Sequence, residues 1–170
     1  GQIKEALAQP DTLIHQEIGD ALADDYAGVP YGKGHVLFLS NRGGSATTSR
    51  DPQTNEPFAR PFLLRIKDLK TLPYTLPEFL ANQRYYIGQC ALLPDSSALI
   101  ASHSRKKPYK DGRVGMTLTY IPFNGDEAKE LPFVAPDADY QHPYFDALDY
   151  TLYFASNVDG GKGGYDLYKS

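Results

Sequence analysis

The chain has 170 residues and a net charge of −4, with 17 Lys and Arg against 21 Asp and Glu. That length suffices for one ordinary domain with a sizeable core. An acidic balance without a basic stripe excludes a nucleic-acid binder, which needs cations along the phosphate track, and no stretch has the length of a membrane-spanning helix.

Residues 1–11 read as a leader. Gly1–Gln9 is built of helix formers with Ile3, Ala6 and Leu7 at helical spacing, and Pro10 stops it. Nine residues are too few to be stable alone, so the segment is expected to be a frayed leader or the last turns of an upstream helical domain. Across the chain, thirteen Tyr, eight Phe, 15 Gly and 13 Pro describe a β-rich domain with many turns, placed from residue 12 onward. Asp11–Asp25 fits a helix by spacing, but its place ahead of the first repeat favours a strand over Leu13–Ile18.

Three similar units follow. The first has strands over Ala27–Tyr31, His35–Ser40 and Phe62–Lys67, with a turn at Gly32–Gly34 and a long polar loop, Asn41–Arg60. The second has Ile87–Leu93, Ala98–Ser102 and Met116–Ile121, joined by the turn Pro94–Ser97 and the loop His103–Gly115. The third has Pro143–Phe145, Thr151–Ser156 and Tyr165–Lys169, with a turn at Asp146–Asp149 and a glycine-rich loop, Asn157–Gly164. The middle strands align on a terminal serine: Ser40, Ser102 and Ser156. Apolar runs at Glu78–Ala81 and Lys129–Val134 stand between units and read as a fourth strand per repeat. The repeats thus span about 26–80, 81–134 and 135–170.

A four-stranded meander that is apolar on both faces cannot bury itself alone; leaning such sheets on one another does. Repeats of about 40–55 residues with four strands each point to β-propeller blades. The expected fold class is therefore all-β: β-propeller blades of four-stranded antiparallel meanders, about three of them, forming a partial propeller. A closed ring typically needs about four to eight, so this is expected to be half of a propeller whose other blades lie outside the chain given, the alternative being two chains that complete one another.

The repeats resemble the TolB-type, WD-repeat-like blade. The third carries the resemblance best, with His142-Pro143, then Thr151-Leu152-Tyr153-Phe154-Ala155-Ser156-Asn157, then Gly160-Gly161-Lys162-Gly163-Gly164-Tyr165-Asp166-Leu167-Tyr168. The second keeps Pro94-Asp95 of the blade's turn, and the first keeps Ser40-Asn41-Arg42-Gly43-Gly44. Asp149 and Ser96 replace the usual turn glycines, and the first repeat lacks Pro-Asp. The glycine-rich form is similar to envelope proteins of Bacteroidetes-type bacteria, in which the propeller lies between a helical-repeat segment and a peptidoglycan-binding OmpA-like domain. One such protein belongs to the type IX secretion and gliding machinery. The resemblance implies a periplasmic, outer-membrane-associated protein whose partners are other envelope proteins, with peptidoglycan reached through a domain outside this chain.

Few residues suggest chemistry. Four His lie in no metal-binding spacing, and Cys90 sits in an apolar run as a small buried residue. A serine that recurs in every unit reads as scaffold, and no Gly-x-Ser-x-Gly elbow occurs. Asn157, Asp159 and Asp166 bracket the glycine-rich loop and are the calcium candidates, although their spacing departs from the twelve-residue calcium loop. The plainer reading is that the glycines serve a tight connection and Asp166 bonds a nearby N–H. Arg105-Lys106-Lys107 is the one basic run, a solvated loop by default.

No cofactor is expected. Since the strand frame is constant and the loops vary, the loops are expected to carry partner contacts, and the candidates are Arg50, Arg60, Tyr85, Lys106, Tyr140 and Tyr144. The functional expectation is a non-catalytic scaffold for protein–protein interaction. The alternatives are the propeller domain of a prolyl-oligopeptidase-like hydrolase and a glycan-binding propeller with a tyrosine rim.

Overall fold

The computed structural model describes residues 22–43, 50–51, 54–75, 77–81, 83 and 86–170. The leader, the strand expected over Leu13–Ile18, Tyr85 and the middle of the first long loop lie outside the described residues. The fold is all-β, and the described residues form three separate antiparallel sheets, none of which closes on itself. The first sheet is β1 (Asp25–Pro30), β2 (His35–Ser40), β3 (Arg60–Arg65) and β4 (Lys70–Pro73). The second is β5 (Ile87–Leu92), β6 (Ala98–Ser104), β7 (Met116–Pro122) and β8 (Lys129–Glu130). The third is β9 (Tyr140–Asp146), β10 (Thr151–Ser156) and β11 (Asp166–Lys169). Within each sheet the strands are paired in chain order, so every one is a meander. Among the described residues, no helix is long and apolar enough to cross a membrane.

The fourth strand differs from expectation. Glu78–Ala81 forms a single helical turn, α1, and the first sheet takes its fourth strand from Lys70–Pro73. Pro77 starts the turn, and its carbonyl accepts from the N–H groups of Leu80 and Ala81 at 2.9 and 3.0 Å. Four apolar-rich residues fit either period, so local propensity left the choice to packing: Leu80 is fully buried in the core between the first two sheets. The strand expected over Lys129–Val134 shrinks to Lys129–Glu130, because the N–H of Val134 turns back to the carbonyl of Leu131. The third sheet has three strands.

How the sheets lean on each other follows from which way the middle-strand residues point. In β2 the carbonyl of His35 accepts from Tyr31, so Leu37 and Leu39 also bond towards β1. In β6 the carbonyl of Ala98 accepts from Leu93 and the N–H of Ser104 donates to Tyr86, so Ile100 and Ser102 bond towards β5. In β10, Leu152 bonds both ways with Ser170, which leaves Tyr153 and Ala155 to face β9. In an L-chain the side of the backbone bonds fixes the face of the side chain. These three sets therefore occupy the same geometric face of their sheets, here called the leading face.

Leu37, on the first leading face, packs with Leu99 and Ala101 on the opposite, trailing face of the second sheet. Ile100, on the second leading face, packs with Leu152 and Phe154 on the trailing face of the third. The Ser102 hydroxyl donates to the Tyr140 carbonyl across that same junction at 3.2 Å. Leading meets trailing at both junctions, so successive sheets stack in the same sense. The middle sheet is covered on both sides, and all seven residues of β6 are buried, whereas β10 alternates buried and half-buried. Ser102 is accordingly not the equivalent of Ser40 and Ser156. Those two accept from the N–H two residues on, in Arg42 and Val158, and sit on trailing faces.

Candidate functional site

Two adjoining clefts open along the seam where the first sheet meets the second. The larger, about 830 Å³, is bounded by Tyr31 and Tyr74 on one side and by the Pro122–Ala128 loop on the other. The smaller, about 410 Å³, is bounded by His103, Arg105, Lys106, Lys107, Tyr109 and Glu130. Phe79, Lys106 and Ala128 line both. Each volume falls within the range of ligand pockets, about 300–1,000 Å³.

Helix α1 builds the shared wall. Burial of Leu80 fixes the turn, and the neighbouring Phe79 is thereby set edge-on to His103, with ring centroids 5.1 Å apart. His103 is 4% exposed; its Nδ1 donates to the Ser104 carbonyl at 2.9 Å, and its Nε2 accepts from the Thr119 hydroxyl at 2.8 Å. Burial outweighs the other influences and lowers its pKa, so the neutral ring is favoured. On the far side of the larger cleft the Tyr31 and Tyr74 hydroxyls lie 3.1 Å apart. Burial, then that hydrogen bond, raises the Tyr74 pKa.

Arg105 forms the back of the smaller cleft. Its guanidinium donates to the carbonyls of Ala135 and Ala138 at 2.7 and 3.0 Å and pairs with Glu130 at 3.4 Å. Its Nε is buried and has no hydrogen-bond partner among the described residues. Glu130 also accepts from the Thr117 hydroxyl at 2.5 Å. Lys106 and Lys107 are exposed at the mouth. Three cations against one carboxylate make this cleft cationic on an acidic protein.

Behind the cleft a second polar cluster joins the second sheet to the third. Asp139 is 6% exposed and accepts from the Tyr109 hydroxyl at 2.8 Å, the Met116 N–H at 2.7 Å and the Tyr165 hydroxyl at 3.0 Å. Its own N–H donates to Asn157 at 2.7 Å. Burial, then the bond to Asp139, raises the Tyr109 pKa and pushes that of Tyr165 up to about 12.

The residues singled out from sequence are dispersed. Lys106 alone lies in the clefts. Arg50 folds back onto the Asn55 carbonyl at 2.7 Å. Arg60 ties β3 to the connector through the Gln83 carbonyl at 3.1 Å, and burial lowers its pKa. Tyr140 is a core residue, 2% exposed, whose hydroxyl donates to the Phe133 carbonyl and accepts from the Ala135 N–H. Tyr144 is 55% exposed on the leading face of the third sheet, away from the clefts. Of the calcium candidates, Asp166 accepts from the N–H groups of Lys162 and Gly163 at 2.6 and 3.1 Å, and Asn157 is engaged by Asp139. Asp166 thus bonds nearby N–H groups, while of the loop's four glycines only Gly160 takes a positive φ. Among the described residues no three His, Cys, Asp or Glu side chains converge as a metal site.

Phe79, His103, Arg105, Glu130 and Asp139 were not singled out from sequence. The basic run was the one signal for the cleft, and it was read as a solvated loop. No family model, curated protein or solved structure matches the chain.

Proposed function

We propose that the chain is a segment of a TolB-type β-propeller acting as a non-catalytic interaction scaffold in a bacterial cell envelope. In this reading it is periplasmic, associated with the outer membrane, and meets other envelope proteins. The same-sense stacking of successive meanders supports the propeller part. The cationic cleft of Arg105, Lys106 and Lys107, with Phe79 as an apolar wall, is the observation that carries the binding part. It suits an acidic segment of a partner: Arg105 is held rigidly by two carbonyls, and the lysines supply long-range attraction.

The test is isothermal titration with a hexaglutamate peptide. Binding should weaken as salt is raised, because the lysine contribution is exposed and screened. Lys106→Glu with Lys107→Glu should weaken it by about tenfold or more, equivalent to about 1.4 kcal/mol. Equal affinity of the charge-reversed variant, or no binding at low salt, would remove this reading.

A further inference from the structure

The two clefts that share Phe79, Lys106 and Ala128 carry opposite charge. Along the smaller, Arg105, Lys106 and Lys107 stand against Glu130; along the larger, Glu78, Asp126 and Glu127 stand against Lys106 alone. The three carboxylates of the larger cleft are exposed, and among the described residues none of them is in an ion pair. They come from separate elements: Glu78 lies in the first turn of α1, and Asp126 and Glu127 lie in the loop that joins β7 to β8.

The walls between these carboxylates are aromatic. The Tyr31 and Tyr74 rings meet edge to face at 5.5 Å on one side, and Phe123 is 40% exposed on the other. Burial pushes the Tyr74 hydroxyl well above the ordinary tyrosine range, so this wall is uncharged and the carboxylates set the sign of the cleft. Such a cavity suits a cation on a long aliphatic stem: the stem packs on the rings, the ring faces attract the cation, and the carboxylates pair with it. An acidic side chain in the same place would meet like charges.

We propose that the seam reads a partner segment of mixed charge, with acidic side chains in the Arg105 cleft and a nearby arginine or lysine in the Tyr31–Tyr74 cleft. The inference rests on the acidic-segment reading of the smaller cleft and adds the type and place of the residue beside that segment. Because the clefts share a wall, an extended segment at about 3.3 Å per residue passes from one to the other within a few residues. A uniformly acidic segment fits one cleft and is repelled by the other.

The test is isothermal titration at low salt with peptides of three glutamates joined to two arginines through two or four glycines, in both chain orders. Hexaglutamate and matched peptides with alanine in place of arginine are run beside them. At least one arginine peptide should bind about tenfold or more tighter than its alanine match. Glu78→Gln with Asp126→Asn and Glu127→Gln should cut that gain to about threefold or less, and should leave hexaglutamate binding as tight as before or tighter. Asp146→Asn with Asp149→Asn and Asp159→Asn removes the same charge from the third sheet, away from the clefts, and should keep the gain. That variant separates the cleft from the attraction of any cation to an acidic protein. Arginine peptides that gain nothing in either order or spacing, a gain that the cleft variant keeps, or one that the third-sheet variant loses as fully overturns the inference. In each of those cases hexaglutamate binding leaves the acidic-segment reading standing, whereas its absence removes that reading and this inference together.

Discussion

Asp139→Ala is the most informative single change, because this carboxylate joins three elements that are distant in sequence. It accepts from Tyr109 in the loop after β6, from the Met116 N–H at the start of β7 and from Tyr165 before β11, at 2.7–3.0 Å. A hydrogen bond to a charged group contributes about 1.5–3 kcal/mol, and an orphaned buried N–H costs about 1–3 kcal/mol. The three bonds form one network and are not additive. The tyrosine hydroxyls can turn to water, whereas the Met116 N–H is fixed by the strand, so the expected loss is about 3–5 kcal/mol. At about 2–4 °C per kcal/mol for a chain of this size, the midpoint of a thermal melt should drop by on the order of 10 °C.

Asp139→Asn preserves the shape and one acceptor oxygen, and should lose less than half as much. A spectroscopic titration provides a readout specific to the network. The Tyr165 pKa, about 12 in the folded chain against the ordinary tyrosine value of 10.0, should fall in Asp139→Ala, although burial, the larger cause, keeps it raised in part. The sign for stability follows. A raised tyrosine contributes stability that is complete below pH about 10 and is lost as the pH climbs through about 12, because the unfolded chain releases its proton first. A variant melting within one or two degrees of wild type, with Tyr165 titrating unchanged, would refute the network as described.

Gly115→Ala should destabilise by about 1–3 kcal/mol in urea unfolding, because an added Cβ would overlap the Tyr109 hydroxyl and an Asp139 carboxylate oxygen. His103 is favoured neutral in the fold and so binds its proton below the ordinary value of 6.5. Between those two pKa values the unfolded chain holds more protons, so its contribution is complete above about 6.5 and is lost as the pH falls below it. Melts from neutral pH to about 5 should show a loss that His103→Gln blunts, with Arg105, Lys106 and Glu130 as the charged neighbours. The Cys90 thiol is 3% exposed, and burial pushes its pKa up to about 12, so it should resist a thiol reagent in the folded chain and react fully once unfolded by guanidinium.

The sequence was most legible where a short apolar run is fenced by obligatory turn residues. His35–Ser40 and Thr151–Ser156 were read with the bounds the structure gives. In the first, Gly32 and Gly34 take positive φ at the turn, and in both the aromatic and aliphatic residues leave no rival period. Ala98–Ser102 was read two residues short, because His103 and Ser104 look like the start of a polar loop. They continue the strand because their polar atoms find partners within the protein, Thr119 for His103 and the Tyr86 backbone for Ser104. Glu78–Ala81 failed for a different reason, since four residues carry too little periodicity to separate a helical turn from a strand.

The sites were far less legible, and the cause is physical. An aspartate in a connector reads as solvated unless its donors are visible, and Tyr109 and Tyr165 lie 30 and 26 residues away in two different loops. The serine alignment shows the same limit within the scaffold. Side chains alternate faces at every residue, so a one-position difference in where β6 meets its partner turns Ser102 from a residue that caps its own chain into one that bonds the next sheet. Composition shows that a meander recurs, but which face each copy presents is set by backbone register. That is why the junctions between sheets, and the clefts they create, emerge only when the strands are placed.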